Sequence, residues 1–159
     1  MAKDLVNTLS QLLIPHQARC AVAESCTGGL IAAELTAYPG SSAWFDCGIV
    51  AYSNDAKQRL LNVPSTILDT HGAVSAETVT AMAENLVLQP HIHLTMAVSG
   101  IAGPDGSNAN QPVGTVWFAW ATQQESHTTL HQLTGSRTDI RQQCVHIALN
   151  GLIKCAQQL

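Results

Sequence analysis

The sequence predicts a layered α/β/α fold built on a mixed β-sheet. Three observations predict it. Apolar runs of strand length, Cys20 to Ala23 and Asp46 to Ser53, each lead into residues at helical spacing. A third such run, His91 to Val98, lies between a long amphipathic helix and a glycine-rich loop. Two further strand-like runs, Val113 to Ala121 and Thr128 to Leu133, are joined through Gln123-Gln124-Glu125, as in a hairpin. Strands alternating with helices and then a hairpin place helices on both faces of one sheet. A length of 159 residues is one domain's worth, and no internal repeat or linker divides it, so residues 1–159 are read as a single domain.

The elements follow in order. Leu5, Leu9, Leu12 and Leu13 share one face of an N-terminal helix that ends near Pro15. The Cys20 to Ala23 strand stops at Glu24-Ser25-Cys26-Thr27-Gly28-Gly29, and Leu30, Ile31, Ala33, Glu34 and Leu35 then take up helical spacing. Tyr38-Pro39-Gly40-Ser41-Ser42 breaks the chain. Ile49, Val50 and Tyr52 belong to the next strand. Asn54 and Asp55 open a helix over Ala56 to Leu61. Pro64-Ser65 starts a short helix closed at His71-Gly72. Ser75 to about Leu88 is a longer one, with Val79, Met82, Ala83, Leu86 and Val87 inward. The polar stretch from Ser99 to Gln111 is loop, and a last helix runs from Ser136 to the C-terminus with Ile140, Cys144, Ile147, Ala148 and Leu152 on its apolar side.

Composition narrows the function classes. Hydrophobic residues make up 46% of the chain, enough for a core without staples. A net charge of −4, with three lysines and four arginines, argues against a general nucleic-acid binder. No apolar run approaches the roughly 20 residues that a membrane span needs. The N-terminus lacks a signal-peptide pattern. The five cysteines are scattered without a Cys-x-x-Cys, and read as reduced thiols in a cytoplasmic protein. The histidines have no metal-site spacing, so no metal and no other cofactor is expected.

Three segments carry candidate chemistry. Ser25 lies in a strand-to-helix turn, where open α/β sheets bind ligands. It reads as a nucleophile, a phosphate contact or an N-cap. Gly28 and Gly29 permit close approach of backbone to ligand, and a helix N-terminus attracts anions. Lys57 falls in the first turn of the helix after Tyr52, where the helix dipole and burial would both lower its pKa. A depressed lysine can take a proton from a serine hydroxyl. The competing reading is a solvated surface lysine. Tyr52 is near enough in sequence to bond either partner. Arg137 and Arg141 stand four apart at the start of the last helix and share a face, suiting an anion such as a phosphate. Partial neutralisation by Asp139 is the alternative. Gly100, Gly103 and Gly106 fit neither a dinucleotide-binding fingerprint nor a P-loop, and say only that backbone N–H groups surround an anion. If the strands are parallel, the Ser25 turn, the end of the Tyr52 strand and the Gly100 loop face one crevice.

Five motifs, in order, carry a resemblance. They are Ala23 to Gly29, Ala51 to Lys57, His71 to Ser75, Ser99 to Gly106 and Pro112 to Val116. The chain resembles the C-terminal domain of the CinA family from about Leu5 to Leu152, and more narrowly its stand-alone nicotinamide mononucleotide deamidases. The resemblance implies hydrolysis of the carboxamide of nicotinamide mononucleotide, a step of pyridine nucleotide recycling that needs no metal. It implies that Ser25 is the nucleophile and that Lys57 and Tyr52 complete the site. The expected substrate-side residues are Thr27, Gly28, Gly29, Ser41, Asn54, Gly100, Ile101, Ala102, Gly103, Arg137 and Arg141. The oxyanion is expected to lie against N–H groups near Thr27 to Gly29 or in the Gly100 loop. A homo-oligomer, dimer or higher, with a small-molecule substrate is expected. The N-terminal pyrophosphatase domain of larger CinA proteins is not. Two residues depart from the common pattern: Gln111 where many relatives carry lysine, and Ser136 where many carry aspartate. The alternative function is a non-catalytic nucleotide-binding module. Such paralogues tend to lose the tyrosine that this chain keeps. An amidase for another small amide is a third reading.

Overall fold

The computed structural model describes residues 2–159. Five strands form one sheet: β1 (Cys20–Glu24), β2 (Phe45–Val50), β3 (Leu94–Gly100), β4 (Thr115–Thr122) and β5 (Ser126–Gln132). Their spatial order is β2-β1-β3-β4-β5. β1 pairs in parallel with both β2 and β3, and β4 is antiparallel to β3 and β5. The sheet is mixed and the fold is α/β, as the sequence predicts.

Alternation along the strands sorts the core into two. Cys20 and Val22 of β1, Leu94, Met96 and Val98 of β3, and Val116, Phe118 and Trp120 of β4 pack on one face. There they meet α1 (Ala2–Leu13), α2 (Leu30–Leu35) and α6 (Arg137–Ala156). The opposite face presents Ala21, Ala23, Ala97, Ala119 and Ala121. These small side chains let α5 (Ala76–Val87) lie close against the sheet, with α3 (Asn54–Leu61) and α4 (Ser65–His71) beside it. Close approach is visible where Thr95 Oγ1 donates to the α5 carbonyl of Ala83 at 2.8 Å. Large residues on one face and alanines on the other are the packing reason for two dissimilar helical layers.

Several boundaries move. β2 ends at Val50 rather than Ser53, because Ser53 becomes the N-cap of α3, accepting from the Ala56 amide at 3.0 Å. β3 begins at Leu94 rather than His91, whose positive φ of 69° takes it out of the sheet. β4 starts at Thr115 because Gly114, at φ 90°, makes a turn closed by its N–H to the Ile101 carbonyl at 2.7 Å. β5 runs Ser126–Gln132 instead of Thr128 to Leu133. On α1, the buried residues are Val6, Leu9 and Leu13, with Leu5 and Leu12 partly covered. Among the described residues, no helix is long and apolar enough to cross a membrane.

Because β1, β2 and β3 run the same way, their carboxyl ends form one sheet edge. The chain leaves β1 toward β2 and returns to β3 on the other side. The crevice between the ends of β1 and β3 is thus the topological switch point, the position at which open α/β sheets hold ligands.

Candidate active site

Ser25 leaves β1 at that switch point, and its amide donates to the Val98 carbonyl of β3 at 3.1 Å. It is 7% exposed. It is not the N-cap of α2; that position is Gly29, at φ 100°. The Ser25 hydroxyl faces Lys57, whose Nζ lies 3.0 Å from Oγ.

Lys57 projects from the first turn of α3 into the molecule and is 1% exposed. A buried lysine is rare unless its amine finds partners. Here Nζ donates to the carbonyls of Ala51 at 3.1 Å and Tyr52 at 3.2 Å, both in the segment between β2 and α3. With Ser25 Oγ these give the nitrogen three hydrogen-bonding partners. An ammonium meets that set with three N–H donors, and a neutral amine meets it with two N–H groups for the carbonyls and its lone pair for the serine O–H. Burial pushes the Lys57 pKa below its ordinary value, opposed by the nearby Cys26 sulfur.

Tyr52 enters differently from the sequence expectation. Its carbonyl holds Lys57, while the residue is 59% exposed and its hydroxyl accepts from Arg137 Nη2 at 3.1 Å. Arg137 also donates through Nη1 to the Gly103 carbonyl at 2.8 Å, tying the start of α6 to the Gly100 loop. In that loop Ile101 and Ala102 are buried. Arg141, one turn further on, donates through Nε to the Cys26 carbonyl at 3.2 Å and through Nη2 to the Thr27 carbonyl at 3.0 Å. Asp139 pairs with neither arginine. Its carboxylate accepts from the Ser136 amide and hydroxyl in a capping box, and these bonds hold its pKa below the ordinary value. Ser136 is therefore the N-cap of α6, and Gln111 donates to the Val74 carbonyl at 2.7 Å.

Glu24 is the residue to which the sequence reading gave no role. Its side chain is fully buried. The carboxylate accepts from Thr27 Oγ1 at 2.6 Å and from the amides of Gly29 at 3.0 Å, Ile31 at 3.2 Å and Ala32 at 2.8 Å. It fills the N-terminus of α2 from inside the protein, so the Gly29 amide and the Thr27 hydroxyl, both expected at the substrate, are already bonded. The signal was present in the sequence. A carboxylate that closes an apolar strand needs donors, and a helix start two glycines away supplies them.

The structure gathers Ser25, Tyr52, Lys57, Thr27, Gly28, Gly29, Gly103, Arg137 and Arg141 at one edge, with Gly100, Ile101 and Ala102 in the adjoining loop. Asn54 is exposed at the first residue of α3, one turn before Lys57. Ser41 is not brought to this edge. It opens a 3₁₀ turn, Ser41–Ala43, ahead of β2, and so lies at the opposite end of the parallel strands. There it lines a cavity of about 290 Å³ with Lys3, Tyr38 and Trp44. The Cys26 side chain packs in the core with Cys144 of α6.

Known proteins resemble the chain in sequence and in fold. Nicotinamide-nucleotide amidohydrolase PncC of Pseudomonas putida is 44% identical over 155 residues, covering 95% of this chain and 97% of that one. The protein of the same name from Escherichia coli is 42% identical, covering 94% and 91%. A CinA-like protein of Colwellia psychrerythraea is 40% identical over 99% of this chain, which spans only 36% of that longer relative. Among solved structures, a CinA superfamily protein from Klebsiella pneumoniae superposes with a TM-score of 0.94 at 33% identity, covering 100% of this chain and 99% of that one. A competence/damage-inducible protein from Agrobacterium tumefaciens gives a TM-score of 0.92 at 39% identity, covering 96% and 94%. The family model described as the CinA C-terminal domain matches residues 2–156, and the chain belongs to that family.

Proposed function

We propose that this chain hydrolyses the carboxamide of nicotinamide mononucleotide to nicotinic acid mononucleotide and ammonia, in the recycling of pyridine nucleotides. The observation that carries the reading is the buried Lys57 amine 3.0 Å from Ser25 Oγ, at the switch point of the sheet. The names of the full-length relatives point to the same substrate.

Ser25 Oγ attacks the carboxamide carbon while neutral Lys57 takes the hydroxyl proton. The C–N bond then breaks, Lys57 returns the proton to the departing nitrogen, and ammonia leaves an acyl-serine. Water attacks that ester with Lys57 as base again, the C–Oγ bond breaks as Lys57 returns the proton to Ser25 Oγ, and the acid product leaves as its carboxylate. The carbonyls of Ala51 and Tyr52 hold the amine in place through both halves. Arg137, exposed at the rim, is the group proposed for the substrate phosphate.

An ammonia-release assay on nicotinamide mononucleotide tests this, with Ser25→Ala alongside. The wild type should turn over, and the variant should not while melting within about 2 °C of it. A wild type that is stabilised by the nucleotide but releases no ammonia would instead make the chain a non-catalytic binding module.

A further inference from the structure

The turn that carries Ser25 is held from two sides by opposite charges. Glu24 takes its N–H side, as described above. Arg141 takes its C=O side, through the carbonyls of Cys26 and Thr27. The Ser25 carbonyl accepts the Gly28 amide at 3.0 Å. A trans peptide is planar, with its C=O and the following N–H pointing in opposite directions. Fixing the carbonyls of Ser25 and Cys26 therefore fixes the directions of the Cys26 and Thr27 N–H groups.

Those two amides are the exceptions in the turn. The N–H groups of Gly28, Gly29, Leu30 and Ile31 all meet acceptors. Those of Cys26 and Thr27 meet no backbone or side-chain acceptor among the described residues, although the two residues are only 6% and 0% exposed. Buried N–H groups without partners are rare and costly. Two in succession, directly after a candidate nucleophile, match the donors that stabilise a tetrahedral oxyanion. The cation on the Cys26 carbonyl also polarises that peptide and strengthens the Thr27 N–H as a donor.

We infer that the Cys26 and Thr27 amides form the oxyanion hole, and that Arg141 is the positioning residue that aims them, not a ligand of the substrate phosphate. The inference rests on Ser25 as nucleophile, and it chooses between the two loops that the sequence left open.

The test compares Arg141→Met and Arg141→Lys with wild type. Arg141→Met should lower kcat about 100-fold, the scale of a misplaced catalytic group. KM for nicotinamide mononucleotide, and the Kd of the nicotinic acid mononucleotide product by calorimetry, should each change less than about threefold. Arg141→Lys should recover only part of kcat, because one ammonium cannot bridge two carbonyls as a planar fork does. A large rise in KM and in product Kd at unchanged kcat would make Arg141 a phosphate ligand and overturn the inference. Amide NMR gives a readout independent of turnover. In Arg141→Met the Cys26 and Thr27 resonances should move and Gly28 exchange should accelerate at least tenfold, with the sheet still protected. Unmoved resonances overturn the positioning role. A wild type that releases no ammonia overturns the amidase reading alone, leaving the NMR result to decide the positioning of the turn.

Discussion

Replacing Lys57 by methionine tests the proposed dyad most directly, because methionine keeps the unbranched chain as far as Cε and removes the amine. Three contacts disappear, to Ser25 Oγ at 3.0 Å and to the carbonyls of Ala51 and Tyr52 at 3.1 and 3.2 Å. Loss of a positioned general base lowers turnover by about 10²- to 10⁴-fold. At about 1.4 kcal/mol per tenfold, this raises the barrier by roughly 3–5 kcal/mol. The stability effect has its own sign. Burial depresses the Lys57 pKa, so between the lowered value and 10.5 the unfolded chain holds a proton that the native chain does not. Native stability therefore rises with pH across that window, by up to about 1.4 kcal/mol per pH unit, and the contribution is lost as pH falls through the lowered value. Lys57→Met lacks this slope, so the stability of wild type relative to the variant should be lowest at low pH and should rise across that window. In the proposed mechanism the neutral amine is the base, so activity of the wild type should rise with pH through the same lowered pKa. The assays are ammonia release and thermal melts across the pH range. A methionine variant that keeps a third of kcat, or stability–pH curves that run parallel, would refute the reasoning.

Three further outcomes follow. Glu24→Gln places an NH₂ group against a helix amide, since all four donors around the carboxylate expect an acceptor. An unmatched buried pair costs about 1–3 kcal/mol, and at about 2–4 °C per kcal/mol for a chain of this size the melting temperature should fall by several degrees. Tyr52→Phe keeps the carbonyl that holds Lys57 and loses only the hydroxyl that meets Arg137, so kcat should fall less than tenfold, far less than for Lys57→Met. Gly100→Ala drives a Cβ to 2.7 Å from the Val116 side chain and 2.9 Å from the Thr115 carbonyl, so the loop must shift. Overpacking of this kind costs about 1–3 kcal/mol, visible in a melt, and a variant as stable as wild type would show that the β3–β4 corner yields freely.

The sequence by itself determined the α/β class, the order of elements and the two residues, Ser25 and Lys57, proposed as a dyad. Their signals are local. Apolar period marks strands and helices, Asn54, Ser75 and Ser136 read as helix starts, and the Ser25 turn interrupts a strand with two glycines. Boundaries slipped at His91 and Ser53 because a positive φ and a cap, neither visible in hydrophobic period, ended the strands.

The tertiary structure decided what those residues touch. Parallel pairing of β1 with β2 and β3 brought Lys57 to Ser25 across 32 positions and left Ser41 at the far end of the sheet. It turned the Tyr52 hydroxyl toward Arg137 across 85 positions, and set Arg141 on the Cys26 carbonyl across 115. The physical reason is range. Periodicity and capping act within a turn or two of chain, whereas a buried charge takes its partners from whichever backbone groups the packed layers bring to it.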